Sequence, residues 1–150
     1  MDREGDPPIH GGCGCGVVRF QINEPLVAAA YCHCTRCQRR SGTAAAASAR
    51  IVPGSLVVTQ GEDRLRGWWA GDGLEKVFCV DCGSAILARD KDTGEAAVVR
   101  LGAIDGDPGI RPMARQFVAD AAPWEPVPDD GTLRFAGRIP AGEVPPPSLR

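Results

Sequence analysis

Residues 32–42 read CHCTRCQRRSG, with three cysteines inside six residues. The C-x-C-x-x-C spacing suits a metal ion. Ligands two and three positions apart share one tight turn, so the later ones bind with little further loss of chain entropy. The N–H groups of such a turn donate to sulfur, and a bound cation favours the thiolate form. Outward from this segment lie two further pairs, Cys13 and Cys15 in GCGCGVVRF (12–20), and Cys79 and Cys82 in FCVDCGSAIL (78–87). Seven is an odd number of cysteines, so they cannot all pair as disulfides within the chain. The chain carries no apolar N-terminal leader and no run approaching the ~20 apolar residues of a membrane span. It is therefore expected to be soluble and cytoplasmic, where disulfides are rare.

Zinc is the natural ion for such ligands. Structural zinc is closed by four protein ligands, whereas catalytic zinc keeps three and leaves the fourth position open. Two partitions of the cysteines are open. In the first, Cys13, Cys15, Cys79 and Cys82 close a structural site, and Cys32, Cys34 and Cys37 hold a second zinc with a free position. In the second, Cys34 and Cys37 join Cys79 and Cys82 as in a zinc ribbon with a long insertion, and Cys13, Cys15 and Cys32 are left over. Iron–sulfur ligation is a third use of thiolates, but no ferredoxin spacing is present. The first partition leaves no remainder and is the expectation taken here: two zinc ions per chain.

Gly and Pro are abundant, 19 and 13 of 150 residues, and only 5% are aromatic. That composition disfavours long helices and favours short strands between turns. Strands are expected at 17–22, 55–59, 65–70, 75–80, 84–88, 96–101 and 116–119, with a hairpin around Gly71-Asp72-Gly73. The alanine-rich stretch 43–50 is read as a strand. The segment 31–42 is read as a turn followed by a short helical piece. Three regions follow: a flexible lead-in at 1–10, a zinc-binding β domain at 11–138, and a Pro-rich tail at 139–150. The net charge of -2 and isoelectric point of about 5.7 argue against a nucleic-acid partner, which calls for a basic surface.

Other residues carry weaker signals. On an extended segment His33 points away from the face of Cys32 and Cys34, into a packing role. Arg36, Arg39 and Arg40 are candidates for holding the carboxylates of a thiol ligand, against the plainer reading of a solvated charged surface. Trp68 and Trp69 are adjacent, so a strand would bury one of them. Phe78 is expected beneath the Cys79–Cys82 turn, Asp105 and Asp107 in a loop, and Trp124 as a loop anchor.

The three cysteine stretches, with LGAIDGDP (101–108) and FVADAAPW (117–124), resemble the glutathione-dependent formaldehyde-activating enzyme family, also known as the centromere-protein-V-like zinc domain. The resemblance covers roughly residues 11–135. It implies a mainly β fold of several coiled antiparallel sheets around a structural zinc, similar to methionine-R-sulfoxide reductases. It also implies the structural zinc at Cys13, Cys15, Cys79 and Cys82, and the second zinc at Cys32, Cys34 and Cys37. The family's activity is a carbon–sulfur lyase reaction, the reversible joining of glutathione and formaldehyde into S-hydroxymethylglutathione. A thiol and an aldehyde are then the small-molecule partners. One position departs from the family pattern: after Pro112-Met113-Ala114 the family carries histidine, and here Arg115 stands. A zinc enzyme of this type and a non-catalytic zinc-stabilised binding module are the two functional readings.

Overall fold

A computed structural model describes residues 4–143. Within them the chain is mainly β. The elements in order are β1 (Ile9–Gly12), β2 (Arg19–Ile22), β3 (Ala28–Cys32), α1 (Thr35–Ser41), β4 (Ala46–Arg50), β5 (Leu56–Gln60), β6 (Leu65–Trp68), β7 (Glu75–Cys79), β8 (Ala85–Arg89), β9 (Ala96–Arg100), β10 (Ala114–Gln116) and β11 (Leu133–Arg134). They form a three-stranded sheet, β1-β2-β5, and an eight-stranded sheet, β11-β10-β3-β4-β9-β8-β7-β6. The β10 strand runs parallel to both of its neighbours. The remaining pairs are antiparallel, as short hairpin-linked strands favour.

Period-two alternation sorts the large sheet into two faces. Ala29, Ala49, Val77, Leu87 and Val99 join Phe20 and Ile22 of the small sheet in one buried apolar cluster. Burying each of the larger side chains among them, the valines, Leu87, Ile22 and Phe20, stabilises by about 1.5–3 kcal/mol. The other face is carpeted with small residues, among them Ala30, Ala46, Ser48 and Ala88, and these line a cleft. The alanine runs thus have a spatial purpose. Side chains this short leave room above the strands.

Some sequence expectations need correction. Ile9 and His10, assigned to the flexible lead-in, pair with Ile22 and Gln21 as part of β1. The strand expected at 116–119 lies earlier and ends at Gln116, because Phe117 takes a left-handed conformation (φ 55°) and Val118–Asp120 turns into a short 3-10 helix. Trp68 and Trp69 are both largely exposed, so neither is a core residue. In the tail, the Ile139 N–H donates to Gln116 Oε1 at 3.2 Å; residues 144–150 lie outside the described residues.

Candidate metal centres

Two tight loops bring the first four cysteines together. After β1 the chain reverses at Cys13–Val18, where the Cys13 N–H donates to the Val18 carbonyl and the Val18 N–H to Cys13 Sγ at 3.2 Å. After β7 it reverses again. The Gly83 N–H donates to the Cys79 carbonyl at 2.8 Å, and Gly83 supplies the positive φ (77°) that a side chain would strain. Arg64 pairs with Asp81 inside this second loop, and the Val80 N–H donates to the Arg64 carbonyl. The Ser84 hydroxyl ties the loops to each other, accepting from the Gly14 N–H at 2.9 Å and lying 3.2 Å from Cys82 Sγ.

The donor atoms of Cys13, Cys15, Cys79 and Cys82 all lie within 4.8 Å of one another. Sulfur separations of 3.5 Å (Cys13–Cys15) and 3.9 Å (Cys15–Cys79) bracket the ~3.8 Å edge of a tetrahedron with metal–sulfur bonds of about 2.3 Å. The thiols conflict electrostatically without a cation. Hydrogen bonds from the Ser84 side chain and backbone hold Cys82 down to about 5. Cys15, despite a backbone hydrogen bond at Val17 that favours its thiolate, is pushed up to about 12 by the neighbouring Cys13 and by burial. A dication at the centre removes that conflict by stabilising all four thiolates. The residues fit a four-thiolate metal site. In this grouping Cys13 and Cys15, rather than Cys34 and Cys37, lie beside Cys79 and Cys82.

Cys32, Cys34 and Cys37 form the second cluster, again within 4.8 Å. Cys32 ends β3, Cys34 caps α1, and Cys37 lies in its first turn. Cys34 Sγ accepts from the Cys37 N–H at 3.3 Å, a sulfur version of a helix cap. Gly42, left-handed with φ 70°, ends the helix. A hydrogen bond from Cys32 lowers Cys37 to about 5 against the cost of burial, helped by Cys34 and by the charges of Arg100 and Lys76. Cys32 is pushed up by its bond to Cys37 and by burial. Three sulfurs this close suit a cation, and the donor set leaves one tetrahedral position to another ligand.

The trio opens on the cleft, which has a volume of about 780 Å³. Of the arginines singled out in the sequence, Arg36 lines the cleft and pairs with Asp72 at 2.6 Å. Arg39 is exposed and does not line it. Arg40 turns instead toward Trp68 and Phe78, 5.6 and 5.5 Å from their ring centres. The cleft draws further cations that the linear sequence did not single out: Arg50, Lys76, Arg100 and Arg138. Alternation within β7 and β9 sets Lys76 and Arg100 opposite the buried Val77 and Val99. Only the pairing of β9 with β4, and of β4 with β3, reveals that this face is the one carrying Cys32.

His33 points the other way and is 3% exposed. Its Nε2 lies 3.1 Å from Arg115 Nη1, so the arginine donates and the imidazole proton sits on Nδ1. Burial, then the Arg115 charge, lower the His33 pKa and keep the ring neutral. Arg115 also donates to Asp130 Oδ2 at 2.8 Å and Thr132 Oγ1 at 3.2 Å, and lies 4.2 Å from the centre of the Tyr31 ring. It does not line the cleft. Elsewhere Asp105 pairs with Arg19, and Asp107 with Arg111, in the loop setting expected of them. Trp124 is 66% exposed and anchors no core.

The sequence pattern of the glutathione-dependent formaldehyde-activating enzyme family matches residues 8–120. The chain belongs to this family. A crystal structure of a Rhodobacter sphaeroides protein is similar in fold, with a TM-score of 0.51 and 24% identity, covering 84% of this chain and 98% of that one. No curated protein matches the chain closely. The family match spans all seven cysteines and stops short of residues 133–142, part of which also walls the cleft. Among the described residues no helix is long and apolar enough to cross a membrane.

Proposed function

We propose that the protein is a zinc-dependent carbon–sulfur lyase of the formaldehyde-activating type, acting on a thiol–aldehyde adduct such as S-hydroxymethylglutathione. The carrying observation is the contrast between the clusters: four cysteines close on each other, whereas three face a cleft. Cys13, Cys15, Cys79 and Cys82 would hold a structural zinc, and Cys32, Cys34 and Cys37 a second one. When bound at the trio, zinc supplies a site for a thiol sulfur and favours its thiolate. In the joining direction the sulfur adds to the aldehyde carbon, the carbon–oxygen double bond becomes a single bond, and the oxygen takes up a proton. Lys76 and Arg100 supply positive potential beside the trio, where negative charge builds during that change. Seven free cysteines suit a reducing compartment, and we place the protein in the cytoplasm.

Metal analysis tests the first half of the reading. Two zinc ions per chain are expected, one lost to mild chelation and one retained. A single tightly held ion would contradict the open site. Zinc-edge X-ray absorption under saturating glutathione should add a sulfur to the average first shell; an unchanged shell rejects thiol binding. Turnover of glutathione and formaldehyde, measured above the spontaneous background, then decides for an enzyme. The observation favouring the second reading, a zinc-stabilised binding module, is Arg115 in place of the family's histidine. Thiol binding with two zinc ions and no turnover would select it.

The small-residue floor gives a further prediction. Ala30→Phe, on the cleft face of β3, should fill the space beside Cys32. Both metals and the fold should remain while glutathione no longer alters the zinc shell. An unaltered response to glutathione would show that the ligand does not use this floor.

A further inference from the structure

Part of the cleft wall is built by residues 138–142 of the C-terminal strap (133–142), beyond the family-matching segment. β11 adds to the sheet beside β10, pairing Leu133 with Ala114 and Arg134 with Arg115. The strap then follows the 3-10 turn after β10. The Val118 N–H donates to the Phe135 carbonyl at 3.1 Å, and the Phe117 N–H to the Gly137 carbonyl at 2.9 Å. Arg138 and Ile139–Gly142 reach the cleft beside Gln116 and Phe117. The turn at Phe117, which interrupts the strand, thus gives the strap its seat.

The cleft is larger and more cationic than an aldehyde needs. Its ~780 Å³ falls within the roughly 300–1,000 Å³ of sites for ligands of drug size. Five cationic side chains line it, Arg36, Arg50, Lys76, Arg100 and Arg138, against one carboxylate, Asp72. Asp72 is already paired with Arg36. Part of this charge has a local explanation. Three thiolates around a dication leave one net negative charge, and Lys76 and Arg100, which both act on Cys37, are placed to balance it. Arg138 reaches the cleft from the strap, beside Ile139–Gly142. Its charge bears on Asp72, and it has no ion-pair partner among the described residues. A cation there serves a ligand that extends from the sulfurs toward the strap.

We propose that the strap is the specificity-determining wall of the cleft, and that Arg138 holds a carboxylate of an acidic thiol whose sulfur reaches Cys32, Cys34 and Cys37. Lys76 and Arg100 flank the sulfur end, and the strap backbone at Ile139–Gly142 limits the ligand's length. The assignment rests on the reading of the trio as an open thiol-binding site, and it adds the residue that selects among thiols.

The test uses the full chain loaded with cobalt(II), whose absorption bands report added sulfur ligands, titrated with glutathione and with glutathione diethyl ester. Wild type should bind the acid about threefold to fivefold more tightly than the ester, the worth of one exposed charge pair. Arg138→Ala removes an exposed side chain, so the fold and cobalt content should persist. It should weaken glutathione by about threefold to fivefold and leave the ester unchanged. Equal affinities for acid and ester in wild type, or a preference that Arg138→Ala leaves intact, would overturn the strap's role. If neither thiol alters the cobalt bands, the open-site reading itself falls, and the assignment with it.

Discussion

Cys79→Ser is expected to prevent accumulation of soluble, folded protein. Cys79 is fully buried at the end of β7, within sulfur contact of Cys15, and it joins a loop from the small sheet to one from the large. Serine is a poor zinc ligand, so the substitution removes the metal as well as a packed sulfur. Binding at a structural site of this kind is worth about 10–16 kcal/mol in small zinc domains. A whole domain is stable by only about 5–15 kcal/mol, so losing the ion can consume the entire margin. Cys82→Ser separates metal from packing. Cys82 is exposed, its side chain contributes little to the core, and a comparable loss of folded yield must come from the ion. Cys32→Ser and Cys37→Ser should behave differently, giving soluble protein with one metal per chain and a moderately lowered Tm. Equal insolubility of all four variants would contradict the division of roles between the clusters.

The contrast between the two clusters also explains how far the sequence could be read. Cysteine spacing is a local property, and local spacing suffices to mark each ligand loop and the short helix after Cys34. The strands from β5 to β9 follow from alternation and turn residues, because each is flanked by Gly or Pro and carries branched or apolar side chains. β3 and β11 are not legible in the sequence, for a physical reason. Ala28-Ala29-Ala30 has little intrinsic strand preference, and its conformation is imposed by pairing with β4 and β10. The two-residue β11 exists only through its bonds to β10. The cleft cations are not legible in the sequence for a related reason. Lys76 and Arg100 alternate with core residues in unremarkable strands, and what brings them to the trio is the order of strands across the sheet, a long-range fact. Arg39 and Arg40 lie close to Arg36 in sequence, but on a helix adjacent residues point about 100° apart. Arg36 alone of the three reaches the cleft.

Arg115 shows where residue identity and position separate. It packs behind the ligand loop, its Nη1 3.1 Å from His33 Nε2. It is a positioning residue: one Nη donates to His33, between two ligands, and the other to Asp130, at the root of the strap. Arg115→Met keeps the volume and removes the donors. The His33 ring nitrogen, in a residue 3% exposed, then lacks a partner, at a cost of about 1–3 kcal/mol. The expected result is a lower Tm by several degrees, with the zinc of the trio lost at a chelator concentration that leaves the four-cysteine site loaded. A merely structural loss would weaken both sites alike. Arg115→Lys should restore part of the Tm, since an ammonium still reaches one partner but cannot fork to both. The pH dependence gives an independent check. The Thr132 hydroxyl, then Arg115, hold the Asp130 carboxyl well below the usual carboxylate range. A depressed folded pKa contributes stability above the unfolded value of about 3.9, and that contribution fades as the pH falls below it toward the folded value. The gap in Tm between wild type and Asp130→Asn should therefore be widest near neutral pH and shrink in acid below that value. A gap unchanged from neutral pH down through acid would show that the carboxylate does not hold Arg115 in place.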